Sequence, residues 1–309
     1  MDLLIKKFKP NVSEQTIKTY CHSINSVMNM LDVSDNKILY NSDLIIKKIH
    51  DKNLNSQKIK INSIMILINC MRTKTNLKKT EKSLKLYYDR IEEINSELNS
   101  ELDKNKKNDK MKEKWLSEDD IKKVSETLLN NIPAKINTIN DMNDFRDYII
   151  WMIHLSIPTR NDLIYSKIMM KPKNMSVCDV SDENFILLDK SKKEVLYVRN
   201  VSKTSKTSSE KIFKLNPELY PFLLVYRKEI YKFNKDRLLI LGDKGESITS
   251  NRFGVIFSNI CKRILGRSVG TTMIRHIKAS EGLDIEKIKE DAKRQGHSVS
   301  MHLQYIKHD

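Results

Sequence analysis

Apolar positions in the first part of the chain recur at helical spacing. After Ser13, the residues Ile17, Tyr20, Ile24, Val27, Met28 and Leu31 fall close to one stripe of a helix, and Ser13 offers the oxygen that caps its first turn. Leu39, Leu44, Ile45 and Ile49 form a second apolar set, and Ile59, Ile61, Ile64, Leu67, Ile68 and Met71 a third. Glycine is absent from the first 200 residues, which suits helices joined by short polar turns better than a sheet with tight ones. Between about Thr80 and Lys114 the chain turns strongly polar. Lys104, Lys106, Lys107, Lys110, Lys112 and Lys114 crowd the end of that stretch, which predicts a domain boundary in a solvated linker or a charged helix end.

Beyond it, Ser117 precedes Glu118, Asp119 and Asp120, acids that favour the positive N-terminus of a helix. A further helix is expected from Asn143 or Asp144 through Phe145, Tyr148, Ile149, Met152 and Leu155, ended by Pro158. Residues 184–189, 194–202 and 210–215 read as strands joined by short polar loops. Helices resume from Pro217, and Phe253, Ile256, Phe257, Ile260 and Ile264 mark an amphipathic one. The pattern therefore predicts a mainly α protein with a small antiparallel β-sheet. It divides into a helical domain over 1–105, a basic linker over 106–114 and an α+β domain over 115–309.

Charge changes this picture modestly. The 309 residues hold 56 Lys and Arg against 40 Asp and Glu, a formal net charge of +16, and a polyanion such as nucleic acid is the natural partner. A lysine bias inherited from an A/T-rich genome explains part of the same excess. Lys112, Lys114 and Lys206 are candidate DNA-backbone contacts. Cys21, Cys70, Cys178 and Cys261 lie far apart without the paired spacing of a zinc site, which reads as reduced thiols of an intracellular protein. The apolar start is too short for a signal peptide, and no run approaches a membrane span.

The candidate chemistry lies in order along the second half. Arg160 follows Pro158 on a turn, with Asp162 two positions later, and Lys203 and Lys206 repeat a Lys-Thr pair in a hairpin loop. Arg275 precedes His276, His297 follows Gly296, and Tyr305 comes eight positions after His297, two helical turns on. Each has an ordinary explanation alone: a surface arginine, loop lysines, a packing histidine, an exposed tyrosine. Together they suit tyrosine attack on DNA. Two arginines hold a phosphate and offset the charge that builds at phosphorus, a histidine assists, a lysine protonates the leaving sugar oxygen, and a phenol attacks. That chemistry calls for no metal and no cofactor. Lys203, nearer the strand end, is preferred as the acid, with Lys206 as the alternative. His276 is given a structural role.

In these residues the part from Trp115 onward resembles the catalytic domain of the tyrosine recombinases, or phage-type integrases, and the helical first part more loosely resembles their core-binding domain. The resemblance implies a two-domain clamp on double-stranded DNA, a covalent 3′-phosphotyrosine, release of a 5′ hydroxyl, and strand exchange within a tetramer. Carried over by position, Arg160 and Arg275 bind the scissile phosphate, Lys203 is the general acid, His297 assists and Tyr305 is the nucleophile. Three departures stand out. Thr272 occupies the place of a usual histidine, Asp162 follows Arg160 by two rather than three residues, and only four residues follow Tyr305. The last predicts that no C-terminal helix is passed to a neighbouring subunit. The shorter acid spacing resembles divergent integrases of viruses and mobile elements. Two other readings share these residues: a type IB topoisomerase that relaxes DNA as a monomer, and a catalytically silent DNA-binding relative.

Overall fold

The computed structural model describes residues 1–32, 38–71, 77–102, 107–173, 183–201, 212–280, 285–296, 298–303 and 305–306. The chain forms two compact units, Met1–Lys104 and Asn105–Asp309.

Five helices are described in the first unit: α1 (Asp2–Phe8), α2 (Glu14–Leu31), α3 (Ser42–Ile49), α4 (Leu54–Met71) and α5 (Leu77–Leu102). The Ser13 hydroxyl accepts from the Thr16 N–H and opens α2, as its side chain predicts. Ile17, Ile24 and Val27 of α2 pack with Ile45 and Ile49 of α3, and with Ile61, Ile64 and Ile68 of α4. Much of the polar stretch beginning near Thr80 is helical. Leu84, Tyr87 and Ile94 give α5 a narrow apolar stripe that joins this core, with Thr80 and Ser83 buried beside it, while most of its charged residues are exposed.

The second unit opens with α6 (Asp109–Lys114), capped by the Asn108 side chain where the sequence suggested linker, followed by α7 (Glu118–Asn130). Ser117 and Asp120 form a reciprocal capping box at the start of α7. The next helix, α8 (Ile139–Ser156), begins a turn earlier than Asn143, because Thr138 and Asp141 make a second capping box. Trp151 and Ile153 of α8 are fully buried, as are Phe253, Phe257 and Ile260 of α10 (Ser250–Leu265), and α9 (Leu219–Ile230) completes this layer.

The sheet is mixed rather than antiparallel. Its order is β1 (Ser166–Met170), β2 (Asn184–Asp189), β3 (Glu194–Val198) and β4 (Ile212–Lys214). Strands β2, β3 and β4 pair antiparallel, but β1 runs parallel to β2, with Ser166 opposite Asn184. Ser-Lys-Ile-Met-Met has too little β-branching to stand out in sequence, and tertiary pairing decides its state. Every residue of β2 is buried, in accord with its unbroken apolar run and covered faces. Ile186 and Leu188 enter the main core, while Phe185 and Leu187 join Leu196 and Val198 on the other face. The chain ends its described course in α11 (Thr271–Ser280), α12 (Ile285–Gln295) and α13 (Val299–Leu303). No helix among the described residues is long and apolar enough to cross a membrane.

Candidate functional site

The turn after α8 is built to present Arg160. Pro158 stops the helix, the Thr159 hydroxyl donates to the Arg160 carbonyl at 2.9 Å, and residues Asn161–Tyr165 wind into a short 3-10 helix. Asn161 fastens this turn to two other helices. Its amide donates to the Ser250 carbonyl at 3.0 Å, and its oxygen accepts from the Thr271 hydroxyl at 3.0 Å. The starts of α10 and α11 are thus fixed against the Arg160 turn. Beneath it, His154 is fully buried and packs on the rings of Phe253 and Phe257. Its Nδ1 donates to the Ile150 carbonyl at 2.8 Å. Burial pushes its pKa down to about 4, against the pull of the Ile150 and Arg160 backbone.

Arg275 lies on the inner face of α11, 4% exposed. Its Nη2 donates to the phenol oxygen of Tyr305, and the guanidinium sits over the tyrosine ring at 4.5 Å from the centroid. The neighbouring His276 holds the other end of the same residue, its Nδ1 donating to the Tyr305 carbonyl at 2.9 Å with the rings 4.9 Å apart. Tyr305 does not continue a helix from His297. Helix α13 stops at Leu303, and Tyr305 stands in the turn that follows, its N–H bonded to the His302 carbonyl at 2.8 Å. Ile306 and Tyr305 pack with Ala279 and Ile288, which seats this turn against α11 and α12.

Arg160, Asp162, Thr272, Arg275 and Tyr305 all line one open pocket of about 630 Å³. Burial lowers the pKa of Arg275, as does nearby Arg160, whereas Tyr305 and Asp162 favour its charged form. Burial raises the pKa of Asp162, opposed by Arg199, Arg160 and Arg275. Such a pocket can take an oxyanion on two guanidinium groups beside a phenol. A separate recess of about 590 Å³ is lined by Leu129, Ile132, Phe145 and Phe222, with Lys135, Glu229 and Lys232 among its polar residues.

The structure brings four of the sequence candidates together: Arg160, Thr272, Arg275 and Tyr305. Lys203, Lys206 and His297 lie outside the described residues. Lys112 and Lys114 are exposed on α6 and do not line the pocket. Two contributors escaped sequence reasoning. Asn161 resembles any turn asparagine, and Arg199 looks like one more surface cation at a strand end, yet it is 4% exposed. Only a cation placed after four consecutive buried strand residues hinted at its burial.

No family model matches the sequence, and no curated protein matches it. Among solved structures, the chain is similar to a lambda integrase, from a structure of its dimer bound to a COC′ core site. The identity is 10%, with 98% of this chain and 75% of that chain covered and a TM-score of 0.51. A XerA recombinase matches with 16% identity over 100% of this chain and 93% of that one, at a TM-score of 0.44. The chain has a tyrosine-recombinase-like fold, mainly helical with a small sheet.

Proposed function

We propose that this chain is a site-specific DNA recombinase or integrase of a virus or mobile element, acting through a covalent 3′-phosphotyrosine. The observation that carries the reading is the contact of Arg275 with the Tyr305 phenol, inside a pocket that Arg160 also lines. In this reading Arg160 and Arg275 hold the non-bridging oxygens of one phosphodiester. The Tyr305 oxygen attacks phosphorus, its proton passes to His297, and the bond from phosphorus to the 5′ oxygen breaks as Lys203 supplies a proton to that oxygen. Lys206 is the alternative acid. A 5′ hydroxyl then reverses the step, and the phosphotyrosine link conserves the energy for rejoining. Double-stranded DNA is the proposed partner, with Lys112, Lys114 and Lys206 as backbone contacts and a tetramer as the assembly for strand exchange. The first unit is proposed as the core-binding domain, and the second as the catalytic one.

Thr272, exposed at the pocket where the resemblance expects a histidine, favours a second reading as a silent DNA-binding relative. A pool of labelled, nicked duplexes drawn from the DNA flanking the encoding gene separates the two. Loss of the short cut strand traps a cleaving enzyme on a 3′ end, giving an adduct that survives denaturing electrophoresis. Binding without any adduct supports the silent relative. Relaxation of supercoiled plasmid without exchange of partners points instead to a topoisomerase.

A further inference from the structure

Asn161 adjoins a proposed phosphate-binding arginine, yet the proposed reaction gives its side chain no part. It lines the pocket with Arg160 and Arg275, but both of its polar atoms are engaged within the protein. Nδ2 donates to the Ser250 carbonyl and Oδ1 accepts from the Thr271 hydroxyl, each at 3.0 Å. Thr271 is buried at the start of α11, one helical turn before Arg275. A continuous path thus runs from Arg160 through Asn161 and the Thr271 hydroxyl to Arg275. The same turn is held separately from the sheet side, where the Asn184 amide donates to the Asp162 carbonyl at 3.0 Å. Helix α11 is seated in the core by Ile274 and Ile277. The bond from Thr271 joins the turn directly to α11.

We propose that Asn161 is a positioning residue: through Thr271 it sets Arg160 and Arg275 at the separation that lets both guanidinium groups engage one phosphodiester. The inference rests on the proposed function. Two guanidinium groups share a phosphate only if their donors meet the oxygens of one small tetrahedral group, and a misplacement of about 1 Å can cost roughly 10²-fold in rate. Arg275 is fixed at its tip by the Tyr305 phenol. Arg160 stands on a turn, so its place follows from what holds that turn. Asparagine suits the task because it carries a donor and an acceptor on one short side chain. Aspartate would set an acceptor against the Ser250 carbonyl and a negative charge where a phosphate is to bind. Breaking the Asn161–Thr271 bond leaves the turn on β2 and α10, and α11 in the core. The fold then persists while the two arginines lose their mutual register.

Thr271→Val removes the donor at nearly unchanged shape, and Thr271→Ser keeps it. Both variants and the natural chain are assayed well below their melting temperatures for single-turnover adduct formation at saturating nicked duplex and for DNA affinity by filter binding. The rise in melting temperature with inorganic sulfate is measured beside them. Thr271→Val is expected to slow adduct formation about tenfold or more with affinity little changed, and to blunt the sulfate response. Thr271→Ser is expected to retain most of both. A bond that serves stability alone lowers the melting temperature without touching the rate of the folded protein, so Thr271→Val at the natural rate overturns the proposal. So does Thr271→Ser as slow as Thr271→Val. In an Asn161→Ala background, Thr271→Val is expected to add less than about twofold, because the bond is already gone. A full further loss there gives the hydroxyl a separate role and overturns the proposal. If Thr271→Val does not fold, Thr271→Ala replaces it against the same Thr271→Ser standard. If the natural chain forms no adduct, the proposed function fails by itself. The sulfate series then decides the inference alone: a response blunted by Thr271→Val and kept by Thr271→Ser sustains it, and any other pattern overturns it.

Discussion

Arg275 donates a hydrogen bond to the phenol oxygen of Tyr305, while the next residue, His276, holds the carbonyl of the same tyrosine. Two consecutive positions of one helix thus grip both ends of a residue thirty positions away, on a turn with little regular structure of its own. The hydrogen bond fixes the place of the phenol oxygen beside that guanidinium. In the proposed reaction the same guanidinium offsets the negative charge that builds at the phosphorus.

Arg275→Ala is accordingly expected to lower adduct formation by roughly 10²–10³-fold, the usual cost of removing a donor to a developing oxyanion. Salt-sensitive DNA affinity is expected to fall far less, since a chain with 56 Lys and Arg spreads its phosphate contacts widely. Filter binding across a salt series beside the adduct assay checks both. Complete loss of binding would show that Arg275 holds the fold rather than the phosphate.

The identity of the acid is open to direct chemistry. Lys203→Ala is expected to cut cleavage by about 10²–10⁴-fold, and Lys206→Ala by much less. Replacing the departing 5′ oxygen by sulfur, a leaving group that needs no proton, is expected to restore most of the Lys203→Ala rate. Restoration confined to Lys206→Ala would move the role by three residues.

What was legible in sequence is what depends on local chemistry. Caps at Ser13 and Ser117, the break at Pro158, the strands beginning at Asn184 and Glu194, and the order Arg160, Arg275, Tyr305 could all be read from neighbouring residues. What escaped depends on the fold. β1 exists because β2 pairs with it, Arg199 is buried because Phe213 and the end of α12 cover it, and Tyr305 meets Arg275 from a turn rather than along a shared helical face. None of these leaves a periodic trace in the chain.

His154 predicts an acid-sensitive fold. Its folded pKa, about 4, lies below the ordinary 6.5, so the unfolded chain binds the extra proton between those values. The stability associated with a neutral His154 is therefore complete above about pH 6.5 and is lost as pH falls toward 4, by an amount of order 3 kcal/mol. Urea melts at pH 7 and pH 4.5 check this in the natural chain and in His154→Gln, whose smaller difference is the expected result. Equal differences would assign the acid sensitivity to other groups.

Phe257 supports the same region from beneath, packing on Trp151 and His154. Phe257→Ala is expected to cost about 3–5 kcal/mol in a denaturant melt, the usual range for emptying a buried aromatic site. A loss under 1 kcal/mol would mean that α8 and α10 collapse to refill the space.

The central claim is that Tyr305 itself becomes bonded to DNA. Peptide mass spectrometry of the adduct trapped on a nicked duplex measures this directly. The expected result is a nucleotide mass on the peptide that contains Tyr305, with no adduct from Tyr305→Phe. An adduct of equal yield in Tyr305→Phe, or a nucleotide carried by any other residue, would contradict the account.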